Sequence, residues 1–112
     1  MAKAEYVLRG SFVEILGTIE NEILSGSISA SLEDGTNWQF GDLRCAVRVF
    51  ERYSMTGSNR VSLNITMLGQ GDTVNLCAIT SGGSQALFFK INTFGEEAFL
   101  ERVREIANRY SL

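Results

Sequence analysis

Histidine and proline are both absent from this sequence of 112 residues. Without histidine the chain lacks the commonest general base, the usual member of a catalytic triad and the commonest metal ligand. We therefore expect a protein that is not an enzyme, with no catalytic site, no metal site and no cofactor. Without proline, slow prolyl isomerisation cannot limit folding.

Cysteine is scarce, and long apolar runs are missing. Cys45 and Cys77 lie inside strand patterns and not in a paired motif. Both are most simply small buried side chains in a reducing compartment, and a disulfide between them would require their strands to pair in register. The longest apolar run is far too short to span a bilayer. We expect a soluble, cytoplasmic protein without a membrane partner.

The charge balance is mildly acidic, with 10 Lys and Arg against 13 Asp and Glu and a formal net charge of -3. This balance repels phosphate backbones, so we expect no nucleic-acid partner. With 45% hydrophobic and 21% charged residues, the composition is that of a folded protein. The length suits a single domain over residues 1–112.

Two-residue alternation dominates the middle of the chain and predicts an antiparallel meander with one buried face. The residues assigned to that face are Leu43, Cys45, Val47, Val49, Val61, Leu63, Ile65, Met67, Val74, Leu76, Ala78, Leu87, Phe89 and Ile91. Upstream, residues 3–9 predict a short first strand. Asp34 and Gly35 predict a hairpin that joins a strand from Ser27 to a short strand at Trp38 and Phe40. Gly41 with Asp42 predicts the break before the meander, and residues 69–72 predict one of its turns.

Two amphipathic helices flank these strands. Ser11 followed three residues later by Glu14 forms a capping box, and the apolar stripe that follows runs to Gly26. Thr93 and Glu96 form a second such pair, and the stripe behind them continues to Tyr110. We expect this C-terminal helix to lie across the buried face of the meander.

The order of strand, helix, about six antiparallel strands and a long C-terminal helix resembles the helix-grip architecture of START-like lipid carriers and plant pollen allergens. In those families a curved sheet wraps the last helix and leaves an apolar cavity. The stretches Arg48–Ser54 and Asn59–Leu63 are also similar to a family of small uncharacterised bacterial proteins, which implies no function. The predicted class is α+β and helix-grip-like. A plain two-layer α/β sandwich is the alternative if the sheet is not curved.

Arg44, Arg48 and Arg52 share one strand face with Ala46 and Phe50. We interpret this arginine row as a solvated outer face whose charges discourage edge pairing, in preference to a site for single-stranded nucleic acid or another anion. Apolar residues on that nominal outer face then need a second apolar environment, either a subunit interface or a groove.

Two functional hypotheses follow. The first is a non-enzymatic protein that holds a small apolar ligand between the sheet and the C-terminal helix. The residues assigned to that site are Trp38, Phe40, Tyr53, Phe99 and Val103. The alternative is a homodimeric or homo-oligomeric interaction protein that uses the outer sheet face, with Phe50 and Phe88 at the interface and no small-molecule ligand.

Overall fold

The computed structural model describes residues 1–53, 60–82 and 89–111. Along them run β1 (Ala2–Arg9), α1 (Phe12–Ser25), β2 (Ser31–Phe40), β3 (Leu43–Tyr53), β4 (Arg60–Gln70), β5 (Thr73–Gly82) and α2 (Phe89–Tyr110). The strands form one antiparallel sheet in the order β1-β5-β4-β3-β2, which places β1 and β2 at its edges. The prediction of an α+β fold, with an antiparallel sheet packed against a C-terminal helix, is confirmed.

Helix α1 begins where its capping residues predict. The Ser11 hydroxyl accepts a hydrogen bond from the backbone N–H of Glu14 at 3.3 Å, which satisfies one of the free donors of the first turn. At the other end, the N–H of Gly26 donates to the carbonyl of Glu22 at 3.0 Å. The buried stripe of α1 consists of Ile15, Ile19 and Ile23.

The tight turns of the sheet also match the sequence. Gly41 lies between β2 and β3 with a φ of 60°, and Gly71 lies between β4 and β5 with a φ of 62°. Both values fall in the left-handed region, which glycine adopts without a steric penalty. The positions of these two turns set the register of the strands that they join.

Strand β2 is continuous, so the predicted hairpin at Asp34 and Gly35 is wrong. Gly35 pairs with Arg48 of β3, and the register shifts between Leu32 and Asp34 as in a β-bulge. A Cβ atom on Gly35 would approach the backbone oxygen of Val47 to 2.7 Å and Cδ of Arg48 to 2.8 Å. The glycine therefore makes room for the β3 backbone and for the arginine side chain, and it does not form a turn.

Helix α2 begins at Phe89, earlier than predicted. Phe89 and Ile91 are therefore helical and not part of a strand, and Thr93 lies inside the helix and not at its cap. A short apolar run does not by itself distinguish a strand from a helix, which explains the wrong assignment. Leu87 and Phe88 lie outside the described residues. The described sheet has five strands in total, where the pattern predicted a first strand and about six more.

The core lies between one face of the sheet and the two helices. The sheet contributes Leu8, Phe50, Val61, Leu63, Ile65, Met67, Val74, Leu76 and Ala78, and α2 contributes Phe99, Leu100, Val103, Ile106 and Ala107. On β4 and β5 these are the residues that the alternation assigned to the buried face. On β3 the assignment is reversed, because Ala46 and Phe50 are buried, with 1% and 0% of their surface exposed. Phe50 is therefore not available to a second subunit.

Candidate functional site

The residues predicted to bind an apolar ligand do not meet in one place. Phe99 and Val103 belong to the core cluster that occupies the space between the sheet and α2. Trp38 and Phe40 lie on the edge strand β2, and their register with β3 places them on the opposite face of the sheet. Tyr53 lies at the far end of β3 and is 52% exposed.

The arginine row faces the helices and not the solvent, which corrects our interpretation of β3. Nε of Arg48 donates to Oε2 of Glu20 on α1 at 2.8 Å. Its Nη1 donates to the backbone oxygens of Thr36 and Val47 at 3.1 and 2.9 Å. Only 12% of the Arg48 side chain is exposed. The guanidinium thus connects α1 to strands β2 and β3.

The other two arginines of the row have different surroundings. The guanidinium of Arg52 lies over the Phe99 ring, 4.4 Å from its centroid. Burial lowers the pKa of Arg52, and the nearby charge of Arg102 lowers it further. Arg44 lies near the start of α1, where it borders a groove. The row is therefore not a continuous basic surface.

The other face of the sheet carries neither helix, and we call it the helix-free face. Four rows of its side chains cross the sheet from β2 to β1. Beyond row four the same face continues on β3 and β4 to an ion pair between Glu51 and Arg60 at 2.7 Å. Row one is Phe40, Leu43, Gln70, Thr73 and Arg9, and row two is Trp38, Cys45, Leu68, Asn75 and Val7. Row three is Thr36, Val47, Thr66, Cys77 and Glu5, and row four is Asp34, Val49, Asn64, Ile79 and Lys3.

The central part of the helix-free face carries no charge. Within the four rows, the charged side chains are on the edge strands, with Asp34 on β2 and Lys3, Glu5 and Arg9 on β1. On β3, β4 and β5 every position of the rows is apolar or uncharged polar. An antiparallel sheet face that meets water ordinarily carries polar and charged residues. The uncharged centre instead resembles the core of a protein interface, from which charged residues are depleted.

The sequence contains a signal for this surface that strand alternation does not use. Between Val61 and Phe89 the one charged residue is Asp72, which lies in the turn between β4 and β5. Strands that are covered on both faces read as near-continuous apolar runs, and a polar outer face is typical of a sheet that meets water on one side. The outer positions of β4 and β5 are mostly polar, among them Asn64, Thr66 and Asn75. What the sequence signals for this surface is therefore a lack of charge and not a continuous apolar run.

A depression of about 240 Å³ lies on the helix-free face above β5. The residues that line it are Glu5, Tyr6, Val7, Thr66, Leu68, Asn75, Leu76 and Cys77. Val7 and Leu68 stand on either side of Asn75 in row two and are 49% and 44% exposed. In the same row, at the β2 edge, the large side chain of Trp38 is 59% exposed. Row two therefore combines a hollow with an exposed aromatic group.

Both cysteines also lie on the helix-free face, on strands that β4 separates. Two strand spacings and an offset of two residues along the strands place their Cα atoms roughly 12 Å apart, beyond the reach of a disulfide. Cys45 and Cys77 are accordingly free thiols. Burial raises the pKa of the Cys77 thiol above its ordinary value, and the Glu5 carboxylate raises it further. Near neutral pH this thiol is protonated and behaves as a small apolar group.

A groove of about 450 Å³ opens on the helix side of the sheet, at the start of α1. It is lined by Phe12, Val13, Leu16, Asn37, Trp38, Gln39, Arg44 and Cys45. Nearly every residue of β2 is exposed, so the helices leave this edge of the sheet open. The groove combines apolar side chains from α1 with one guanidinium from β3.

The described residues offer little other chemistry. Among them, no three His, Cys, Asp or Glu side chains are grouped so that they could hold a metal ion. No helix in the described ranges is long and apolar enough to cross a membrane. The helix-free face and the groove beside α1 are therefore the surfaces from which we infer a function.

The sequence matches the model of a family of unknown function (DUF6054) over residues 1–111. The chain belongs to this family. The match extends from β1 through α2, and it confirms the expected similarity to a family of small proteins without an assigned function. No curated protein matches the chain. Membership in this family brings no activity with it, so the function must be inferred from the surfaces of the molecule.

Proposed function

We propose that this chain is a non-enzymatic interaction protein that self-associates through its helix-free face. The observation that carries the proposal is the absence of charge from β3, β4 and β5 across the four rows of that face. A second copy would cover the central apolar side chains, among them Val47 and Leu68. The two free thiols on the same face suit a reducing compartment, and we place the protein in the cytoplasm.

The size of the helix-free face suits a dimer. With strands spaced by about 4.8 Å and a rise of about 3.3 Å per residue, its five strands and four rows cover roughly 650 Å² in plan. Stable interfaces bury about 800 Å² of accessible surface on each partner. Because side chains protrude from the sheet, the accessible surface of this face is larger than its flat area. Two sheets that stack about 10 Å apart form a β-sandwich, in which both inner faces are buried.

We expect Val47→Asp to dissociate the dimer. Val47 lies on β3 near the centre of the helix-free face, where association would remove the new carboxylate from water without a partner. A buried unpaired charge costs about 3–5 kcal/mol, which corresponds to a loss of affinity on the order of 100-fold or more. Sedimentation equilibrium over a wide concentration range measures this loss.

The matched control is Val13→Asp, which makes the same replacement on α1, at a side chain that is 62% exposed. This variant is expected to retain the dimer of the wild-type protein. Circular dichroism and thermal unfolding establish that both variants are folded. A wild-type protein that stays monomeric at high concentration would refute self-association, as would a dimer that Val47→Asp leaves unchanged.

Ligand binding is the second function that we propose, and we assign it to the groove beside α1. The volume of about 450 Å³ is within the range of small-molecule sites. Phe12 and Leu16 offer an apolar wall, and Arg44 offers a guanidinium that pairs well with a carboxylate. This combination suits a small amphiphilic carboxylate whose chain lies against α1.

Native mass spectrometry with decanoic acid tests this second proposal. We expect a one-to-one adduct whose affinity falls about tenfold in Arg44→Gln, since a charge-assisted hydrogen bond contributes about 1.5–3 kcal/mol. Methyl decanoate, which has no carboxylate, is expected to bind both proteins equally. Arg60→Gln, at an arginine outside the groove, serves as the control. The absence of an adduct with the wild-type protein would exclude this role.

A further inference from the structure

We infer that the dimer has its two-fold axis parallel to the strands and that Trp38 of each copy enters the depression beside Val7 of the other. The inference rests on the proposed function, since it requires that two helix-free faces meet. It adds to that proposal a single relative orientation of the two copies and a named anchor residue. The strand register and the positions of the charged residues support it.

A symmetric face-to-face pair has two simple arrangements, because its two-fold axis lies in the plane of the interface. If the axis is parallel to the strands, each row meets the same row of the second copy. In that arrangement β4 lies over β4 and the edge strands exchange, so that β1 lies over β2. If the axis is perpendicular to the strands, each strand lies over the same strand of the second copy. The order of the rows then reverses, so that row one faces row four.

The charges favour the axis parallel to the strands. In that arrangement Lys3 and Asp34, at the two ends of row four, face each other across the interface at both edges of the dimer. Within its own strand Lys3 also pairs with Glu5 at 3.1 Å, so the Asp34 carboxylate would be a second partner for the same ammonium group. With the perpendicular axis, Lys3 would face Arg9, and Asp34 would face the apolar ring of Phe40. Opposite charges suit an interface, and like charges exclude the wrong arrangement. Packed sheets are rotated by roughly 30° relative to each other, which displaces facing residues at the edges of the interface. The lysine side chain is long enough to span this displacement.

The shape of row two favours the same arrangement. With the axis parallel to the strands, Trp38 of one copy lies over Val7 of the other, at the depression of about 240 Å³. An indole ring would fill the hollow that Asn75 leaves between Val7 and Leu68. The Glu5 carboxylate at this depression can accept the indole N–H, which needs a partner when buried. Row one then places Arg9 over the ring of Phe40, a cation–π arrangement.

Trp38 is the one tryptophan of the chain, so its fluorescence reports directly on the anchor. As the wild-type protein is diluted from dimer to monomer, we expect the emission to shift to longer wavelength and quenching by acrylamide to increase. Trp38→Ala is expected to weaken association about thirtyfold or more, as is usual for an interface hot spot. Tyr53→Ala is the control, because Tyr53 is similarly exposed but lies outside the four rows.

A charge exchange tests the orientation independently of Trp38. Lys3→Glu and Asp34→Lys are each expected to weaken the dimer, and the double variant is expected to restore it, since only the parallel axis brings these residues together. Two results would overturn this inference and leave the proposed function standing. One is a dimer, shown by sedimentation, in which the tryptophan stays exposed. The other is a double variant that associates no more tightly than either single variant. A protein that is monomeric by sedimentation would overturn both.

Discussion

Replacement of Phe50 by alanine is expected to lower the free energy of unfolding by about 3–5 kcal/mol, the usual cost of truncating a buried phenylalanine. Phe50 has 0% of its surface exposed and belongs to the core cluster between the sheet and the helices. Phe50 is the one large apolar side chain of β3 in the core, so removal of its ring would leave a cavity there. Since domains of this size are stable by about 5–15 kcal/mol, much of the total would be lost. Urea denaturation followed by circular dichroism measures the change.

The matched control for Phe50→Ala is Phe40→Ala on the neighbouring strand. Phe40 is 78% exposed and lies on the helix-free face, so its truncation is expected to change the stability of the monomer by no more than about 0.5 kcal/mol. Both variants are compared at a dilution at which the wild-type protein is monomeric. Equal losses from the two variants would contradict the orientation of β3 described above.

Arg48→Gln is expected to be the second most damaging of the replacements considered, with a loss of about 2–4 kcal/mol in the free energy of unfolding. The variant removes the ion pair with Glu20 and two hydrogen bonds to backbone oxygens. It also leaves the Glu20 carboxylate, whose side chain is 30% exposed, without this partner. Thermal and urea unfolding together measure the loss.

Arg44→Gln provides the comparison for Arg48→Gln, because Arg44 lies on the same strand and the same face but borders the open groove. We expect this variant to lose no more than about 0.5 kcal/mol, because Arg44 is only partly buried and borders the open groove. If the arginine row were solvated, both variants would lose little free energy of unfolding. Indistinguishable stabilities for the two variants would therefore argue against the structural role of Arg48.

The elements that the sequence predicts correctly depend on local geometry. The Ser11 cap and the turns at Gly41 and Gly71 are each decided by a few consecutive residues, through one hydrogen bond or one φ angle. The buried stripe of α1 follows in the same way from the helical repeat. These features fix the order of the elements, and they support the α+β class that the structure confirms.

The reversed faces of β3 show where local reasoning fails. Both faces of this strand are half apolar, since Val47 and Val49 alternate with Ala46 and Phe50. The arginines made the second face look solvated, yet long side chains can bury their stems and find partners far away in the sequence. Arg48 reaches Glu20, 28 residues earlier, and Gly35 leaves the space beside β3 that the Arg48 side chain and the Val47 carbonyl occupy. Such contacts exist only once α1 has packed on the sheet.

The candidate site was predictable in part. The sequence predicts that Trp38 binds a ligand together with Phe99, but Phe99 lies on the other side of the sheet. The residues that share a row with Trp38 are Leu68 and Val7, and the pairing of β1 with β5 brings Val7 there from the opposite end of the sheet. Alternation within one strand contains no information about such rows, because they depend on the register between strands.

The pairing of β1 with β5 has a consequence for the order in which the chain can fold. Strands β2 to β5 join sequential neighbours through short connections, whereas residues 2–9 must wait for residues 73–82 before they gain a strand partner. The core side chain Leu8 therefore has no strand to pair with while β2, β3 and β4 assemble. Pairings across so long a loop slow folding toward the millisecond-to-second range of β-rich domains. During synthesis β1 emerges before the other four strands of this sheet, yet it would be among the last of them to be incorporated.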